Sequence, residues 1–261
     1  MLEITGRCIW ITGASSGIGR ELALALCKMG NFVIVSARGK EALQSLVLAA
    51  QGRMMALPID LSQDGEELVE YANQLANITD YIDMVICCAG ICEYEDDLSF
   101  DPEMYKRVMD TNFLGVVRSF KLALPFLKKS SFAPQFVAVG SLSAVMPLPR
   151  AEAYGASKAA LEYFIGSVRA DVVHLPLSVS LVRPGFVKTP MTEKNNFSMP
   201  FMLDVDRAVA IILRGIAKKK PVIDFPKRLS WSLRMGNIFF IAWCRWLAPK
   251  VTRISSAAWK E

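Results

Sequence analysis

Short apolar runs alternate with longer helix-like stretches along almost the whole chain, and that alternation leaves few architectures open. Cys8–Thr12, Phe32–Ser36, Met54–Pro58, Met84–Cys87, Phe136–Val139 and Leu177–Val182 are predicted as strands. Their nearly continuous apolar character suggests burial on both faces. Between them, helices are predicted over Ile18–Met29, Lys40–Ala50, Asp64–Asn77, Pro102–Leu127, Ala153–Val173 and Asp204–Lys219. Strand and helix in succession predict an α/β fold: a doubly wound parallel sheet, helices on both sides, right-handed crossovers. No internal repeat, low-complexity tract or linker divides the 261 residues. A single domain is therefore expected over 1–225, followed by a C-terminal extension over 226–261.

Directly after the first strand stands Thr12-Gly-Ala-Ser-Ser-Gly-Ile-Gly-Arg20, which puts Gly13, Gly17 and Gly19 in the turn that opens the first helix. Glycine there lets backbone amides approach a pyrophosphate, which a helix N-terminus favours electrostatically. The spacing is GxxxGxG rather than GxGxxG. A tight strand-to-helix turn tolerates glycines for purely structural reasons, but three in seven residues at the first strand of an alternating chain favour cofactor binding.

Further on, Tyr154-Gly-Ala-Ser-Lys158 places a lysine four residues after a tyrosine, with Ser141 thirteen residues upstream in Gly140-Ser-Leu-Ser-Ala144. On a helix, residues four apart stand about 40° apart on one face. An ammonium held beside a phenol favours its ionised form, and lowering the phenol from near 10 by roughly three units would correspond to about 4 kcal/mol. Taken alone, such a pair is usually ordinary surface packing.

With Asn112 in Asp-Thr-Asn-Phe-Leu-Gly, these residues complete four motifs in order, and over about Gly6 to Ile223 the chain resembles the short-chain dehydrogenase/reductase family. The resemblance implies a Rossmann-type sheet and a carbonyl/secondary-alcohol oxidoreductase with Asn112, Ser141, Tyr154 and Lys158 as catalytic residues. Tyr154 would give or take the proton of the substrate oxygen, and Ser141 would orient that oxygen. Lys158 would hold the nicotinamide ribose and lower the tyrosine pKa, and Asn112 would anchor a water relay behind the lysine. Ser143, eleven residues before the tyrosine, is the weaker candidate for the serine. Cofactor contacts are implied for Gly13, Ser15, Ser16, Gly17, Ile18, Gly19, Arg38, Asp60, Leu61, Ala89, Gly90, Asn112, Tyr154, Lys158, Pro184, Gly185, Val187 and Thr189, with Phe186 beside them. The family's Asn-Asn-Ala-Gly is Cys87-Cys-Ala-Gly90 here, and adjacent buried small apolar residues explain the two cysteines better than redox control.

The end of the second strand reads Val35-Ser-Ala-Arg-Gly39. An acid there would hydrogen-bond the adenosine ribose, whereas an arginine accommodates a 2′-phosphate. Arg38 therefore favours NADP(H) over NAD(H), although Ser16 stands where NADP-dependent relatives often carry a second basic residue. Asp60 is read either as the family's adenine contact or as the N-cap of the following helix. Met191–Leu203, rich in methionine and phenylalanine, corresponds to the family's substrate lid and either shapes an apolar substrate site or packs the loop on the core. The expected substrate is a small lipophilic carbonyl or alcohol. A catalytically silent NADP-binding scaffold or sensor is the alternative, which would need none of the four catalytic residues.

Of the 261 residues, 52% are apolar, which excludes disorder. Six cysteines without paired-ligand spacing and no signal-like leader lead to the expectation of a reducing cytoplasm. One histidine, His174, makes a serine–histidine triad or a histidine metal site dependent on that residue, and a helix-end role suits it better. No metal is expected. The net charge of +5 gathers at the C-terminal side, where Lys218 to Arg253 holds nine Lys or Arg against one acid, Asp224. No nucleic-acid motif accompanies them, so nucleic-acid binding is not expected. Trp231–Leu247 mixes tryptophans, phenylalanines and aliphatics with Arg234 and Arg245, which disfavours a transmembrane helix. The stretch 227–253 is read as a membrane-surface contact, a dimer contact or a wall of the substrate pocket. Relatives commonly pair through their two long helices, which implies a homo-oligomer.

Overall fold

The computed structural model of the chain describes residues 4–50, 53–95 and 99–248. Among these residues seven strands lie in one parallel sheet: β1 Cys8–Thr12, β2 Phe32–Ser36, β3 Met54–Ala56, β4 Met84–Cys87, β5 Gln135–Val139, β6 Ser178–Pro184 and β7 Val222–Phe225. Their order is β3-β2-β1-β4-β5-β6-β7. The chain winds outward from β1 to β3, then returns to β4 and winds the other way. Strand order therefore reverses between β1 and β4, where a crevice opens outside the carboxyl ends of the strands. Thr12 is in register with both Ser36 and Cys87, so three strand ends meet there.

Successive strand residues point to opposite faces, and both faces are apolar. Ile9 and Ile11 of β1 and Val33 and Val35 of β2 join one core, with Leu22 and Leu26 of helix α1 (Gly17–Lys28), Leu43 and Leu46 of α2 (Lys40–Ala49), and the later Ile212 and Ile216. Cys8, Trp10 and Ile34 join the other, against Leu68 and Leu75 of α3 (Glu66–Ala76) and against Phe126, Leu161 and Ile165. Continuous apolar runs were expected for this reason: most strand positions meet a helix layer, with Phe32 and Met55 the exposed exceptions among the apolar ones.

The six expected strands and the helical stretches all form, with ends shifted by a few residues. Pro102–Leu127 is not one uninterrupted α-helix. It consists of α4 (Pro102–Met109), a π-helical turn at Asp110–Leu114 and α5 (Gly115–Leu127). Asp101 caps α4 by accepting from the Glu103 and Met104 amides. The strand that sequence patterning missed is β7, which is four residues long and interrupted by Asp224. Its carboxylate is neutralised inside the fold by Arg183 of β6, through bonds of 2.7 and 2.9 Å. The remaining helices are α6 (Glu152–Asp171), α7 (Pro190–Glu193), α8 (Val205–Ala217) and α9 (Lys227–Ile238), followed by short turns through Leu247. His174 lies just past the end of α6, exposed. Lys250 and Arg253, expected in the basic extension, lie outside the described residues.

Candidate active site

A cavity of about 590 Å³ fills the crevice at the strand-order reversal. Every residue expected to contact cofactor lines it except Asn112, and Ser141 lines it too. The glycine loop and Arg38 line the same cavity as Tyr154 and Lys158, though more than a hundred residues separate them in sequence.

The glycine loop is fixed by the protein's own packing as much as by a ligand. Gly13 has a φ of 69°, and a β-carbon on it would collide with the Ala89 backbone, while one on Gly19 would collide with the Gly13 carbonyl. Gly17, with φ of 56°, lies against the Thr189 side chain. Ser16 stands at the N-cap of α1 with no side-chain hydrogen bond to the first turn. The amides of that turn thus lack their usual cap, and Gly17, Ile18 and Gly19 face the cavity. This is the arrangement that a helix N-terminus offers an anion.

Tyr154 lies in the first turn of α6 and Lys158 one turn later. The Ser141 hydroxyl accepts from the Ser143 amide at 3.1 Å and from the Ser143 hydroxyl at 2.9 Å. Ser143 therefore steadies Ser141 instead of competing with it. Burial pushes the Tyr154 phenol up to about 12, opposed by a hydrogen bond with Ser141. Lys158 is 4% exposed, and burial brings its ammonium down to about 8. Its Nζ donates to the Val139 carbonyl at 3.0 Å and stands 5.8 Å from the centre of the Tyr154 ring. Lys158 is not among the groups that shift the Tyr154 phenol. The ammonium is directed at a backbone carbonyl, and desolvation of the phenol dominates.

Asn112 does not line the cavity with the other expected residues, because it lies behind the cavity wall. It is fully buried in the π-helical turn, where its Oδ1 accepts from the Ile91 amide at 2.8 Å. Its Nδ2 donates to the Ile91 carbonyl at 2.9 Å and to Ser157 Oγ at 3.0 Å. π-turns often occur at functional sites, and this one presents Thr111 to the cavity while its asparagine clamps the loop after β4. In the same place, a β-carbon on Gly90 would sit 3.3 Å from Asn112 Oδ1 and 3.4 Å from Lys158 Nζ. Cys87 agrees with the buried apolar reading, whereas Cys88 is half-buried and lines the cavity. Cys87 is buried, and desolvation pushes its thiol up to about 12 and that of Cys88 higher still.

At the adenosine end, Arg38 is exposed on the cavity rim. Burial works against ionisation of Asp60, but bonds from the Ser62 amide (2.9 Å) and hydroxyl (2.7 Å), with the charge of Arg38, hold the carboxyl below its ordinary value. Asp60 is not a helix N-cap, since α3 begins at Glu66 after Gly65. The acceptors, the uncapped helix terminus and the rim cation fit a nicotinamide dinucleotide. Ser15, Ser16, Gly17, Ile18 and Gly19 would hold its phosphates, and Arg38, Asp60 and Leu61 its adenosine half. Ala89, Gly90, Tyr154, Lys158, Pro184, Gly185, Val187 and Thr189 would surround the nicotinamide half.

The substrate end is walled by residues that sequence patterning left out. Cys92 and Tyr94 follow β4, and Arg150 precedes α6 at a φ of 69°. The Tyr94 hydroxyl donates to Asn195 Oδ1 at 2.8 Å, and its ring meets Phe197 edge-on at 5.9 Å. These contacts fasten the Met191–Leu203 segment across the cavity. Met191, Phe197 and Pro200 line the cavity, whereas Leu203 packs on the core and Phe201 and Met202 are exposed. Cavity lining and core packing thus both occur in this segment, in different residues. Leu229 and Leu233 of α9 and Trp243 complete the wall, and Trp243 Nε1 donates to the Pro147 carbonyl at 3.1 Å. The pocket-wall reading of the C-terminal segment is therefore correct for its inner side. No signal in α9 alone showed which of its apolar residues would turn inward.

The family model described as short chain dehydrogenase matches residues 7–199. An uncharacterized oxidoreductase of Myxococcus xanthus is 32% identical over 240 residues, covering 91% of this chain and 94% of its own. A crystal structure of a short chain dehydrogenase from Burkholderia cenocepacia in complex with NADP aligns with a TM-score of 0.80 at 25% identity, over 94% of this chain and 99% of its own. One from Burkholderia phymatum in complex with NAD aligns with a TM-score of 0.82 at 19% identity, over 91% and 95%.

Proposed function

The chain belongs to the short-chain dehydrogenase/reductase family, and from that premise we propose an NADP(H)-dependent oxidoreductase that interconverts a carbonyl and a secondary alcohol on a lipophilic substrate. The observation that carries this reading is a single cavity with an anion-receiving helix terminus and the Ser141–Tyr154–Lys158 group on its walls. The cofactor, when bound, supplies or takes up the hydride. Tyr154, protonated at neutral pH, would give its proton to a carbonyl oxygen in reduction and take it back from the alcohol in oxidation. Ser141, oriented by Ser143, holds the substrate oxygen against that phenol. Lys158 holds a cation at the base of the cavity, and Asn112 keeps the loop after β4 in place as a positioning residue.

Preference for NADP(H) is supported by Arg38 at the rim and by the lack of an acid at the end of β2. A lipophilic substrate is supported by the walls opposite Tyr154, where Met191, Phe197, Leu229, Leu233 and Trp243 converge. Pairing of two copies across α5 and α6 belongs to the same reading. Contact with a membrane surface is supported by Trp231 and Ile238, exposed on α9 beside Lys227 and Arg228. No helix among the described residues is long and apolar enough to cross a membrane.

The test is NADPH oxidation by the purified protein with a panel of long-chain and cyclic ketones, with wild type and Tyr154→Phe compared. Turnover by wild type, with a loss of kcat on the order of 10²–10⁴-fold in the variant and unchanged NADPH affinity, is the expected result. Tight NADPH binding without turnover of any ketone would instead favour the silent scaffold or sensor.

A further inference from the structure

The C-terminal segment is two-sided, and its two sides do different things. With 100° per residue, Leu229 and Leu233 stand about 160° from Trp231 around α9. Leu229 and Leu233 line the cavity, and one turn later Gly236 lies so close to Met146 that a β-carbon would sit 2.7 Å from its Sδ. On the other side, Trp231 is 67% and Ile238 70% exposed. Past the helix, Ile241 is 81% and Trp246 66% exposed, with Phe239 and Phe240 also open to solvent. A single exposed apolar residue is ordinary, but six large ones within sixteen residues form a patch of the kind that marks an interaction surface.

Charge identifies the partner. Between Pro226 and Ala248 the sequence holds Lys227, Arg228, Arg234 and Arg245 and no acid. Lys227, Arg228 and Arg245 are exposed, and Arg234 is drawn back to Asp224 at 2.8 Å. The sequence that follows, 249–261, adds Lys250, Arg253 and Lys260 against Glu261. A second copy docking on this patch about a two-fold axis would bring the same cations against one another. An anionic bilayer accepts both components, because aromatic and aliphatic side chains enter the headgroup boundary while cations meet lipid phosphates.

We propose that α9 and the turns through Trp246 form a docking face for anionic lipid, and that the segment thereby joins the bilayer to the substrate end of the cavity. Its outer side rests in the interface, and its inner side is the wall made by Leu229, Leu233 and Trp243. A lipophilic substrate dissolved in the bilayer then has to cross only that wall to reach Tyr154. This route rests on the proposed lipophilic-substrate reading, whereas docking itself does not.

The experiment is co-sedimentation of the full chain with phosphatidylglycerol vesicles and with phosphatidylcholine vesicles at low and high salt, alongside NADPH titration and light scattering. The expected result is binding to phosphatidylglycerol that weakens in high salt and is much weaker on phosphatidylcholine. Trp231→Glu with Ile241→Glu should lower vesicle affinity at least tenfold. Lys227→Ala with Arg228→Ala should lower it by an order of magnitude or more, at roughly fivefold per cation. Both variants should keep wild-type NADPH affinity, and Leu48→Glu, on the exposed side of α2, should bind vesicles as wild type does. Binding that is absent, or unaffected by the Trp231/Ile241 variant, would overturn the proposal. So would conversion of an oligomer to a smaller species by that variant, since a second copy would then be the occupant. Vesicle binding without any ketone turnover would leave docking standing and remove the reaction assigned to the cavity.

Discussion

Lys158 and Tyr154 share one helix face, yet the lysine Nζ is bonded to the Val139 carbonyl at 3.0 Å and stands 5.8 Å from the tyrosine ring centre. The pair is close without being an ion pair. Each is displaced towards its neutral form by the same cause, burial, which raises the phenol to about 12 and lowers the ammonium to about 8. Over neutral pH this leaves a protonated phenol beside a protonated lysine, a proton donor and a cation ready for cofactor.

The lysine loses its charge as pH rises through about 8. NADPH affinity, followed by the fluorescence of the bound nucleotide, should be constant below that value and fall above it. Lys158→Met should bind more weakly at every pH and lack the step. Persistence of the step in Lys158→Met would assign it to another group.

Ser141 and Ser143 should separate in magnitude. Ser141→Ala removes the hydroxyl placed beside Tyr154 and should lower kcat by roughly 10²-fold. Ser143→Ala removes one supporting hydrogen bond, worth about 1 kcal/mol, and should lower kcat about fivefold. Steady-state kinetics at saturating NADPH reads both, and equal losses would mean that Ser143 contacts substrate directly.

Arg38 lies at the rim and not among the reacting groups. Arg38→Ala should weaken NADPH binding roughly 10- to 100-fold, the value of a charge-assisted contact of about 1.5–3 kcal/mol, and leave NADH binding unchanged. Parallel titrations with the two nucleotides decide it, and an equal loss for both would remove Arg38 from the 2′-phosphate role.

Asp224 ties the extension to the sheet. Its carboxylate receives Arg183 at 2.7 and 2.9 Å, Arg234 at 2.8 Å and Ser230 at 3.1 Å. Asp224→Asn leaves Arg183 with Glu162 as its remaining anionic partner and should cost about 2 kcal/mol, a fall in Tm of roughly 6 °C. Burial opposes ionisation of Asp224, but the bonds and charge of Arg183 outweigh it, so the folded-state pKa lies below the ordinary 3.8. The contribution is thus present above pH 4 and lost as pH falls through the lower folded value. Thermal melts between pH 7 and pH 3 should show wild type and variant converging at the acid end.

The strand–helix succession was legible because burial on both faces of a parallel sheet leaves a local mark: continuous apolar runs such as Phe32–Ser36 and Met84–Cys87. The strand β7 escaped that reading because Asp224 breaks its run, and only Arg183, forty-one residues away, makes the charge tolerable. The break in Pro102–Leu127 escaped it as well, since an α-helix and a π-turn have the same local composition. Of the site, the glycine loop could be named from spacing, and Ser141, Tyr154 and Lys158 from the family resemblance. Tyr94, Arg150, Leu233 and Trp243 could not, because they are brought to the cavity by packing between segments far apart in sequence.

Sequence by itself determined the sheet, its two apolar faces, and the residue types at the cavity, since periodicity and fixed spacings are properties of neighbouring residues. Tertiary structure alone decided the protonation of Tyr154 and Lys158, the retreat of Asn112 behind the wall, and which side of α9 faces in. Each of these depends on desolvation or contact with distant segments, and the sign of a pKa shift cannot be read from a lysine four residues away when burial outweighs it.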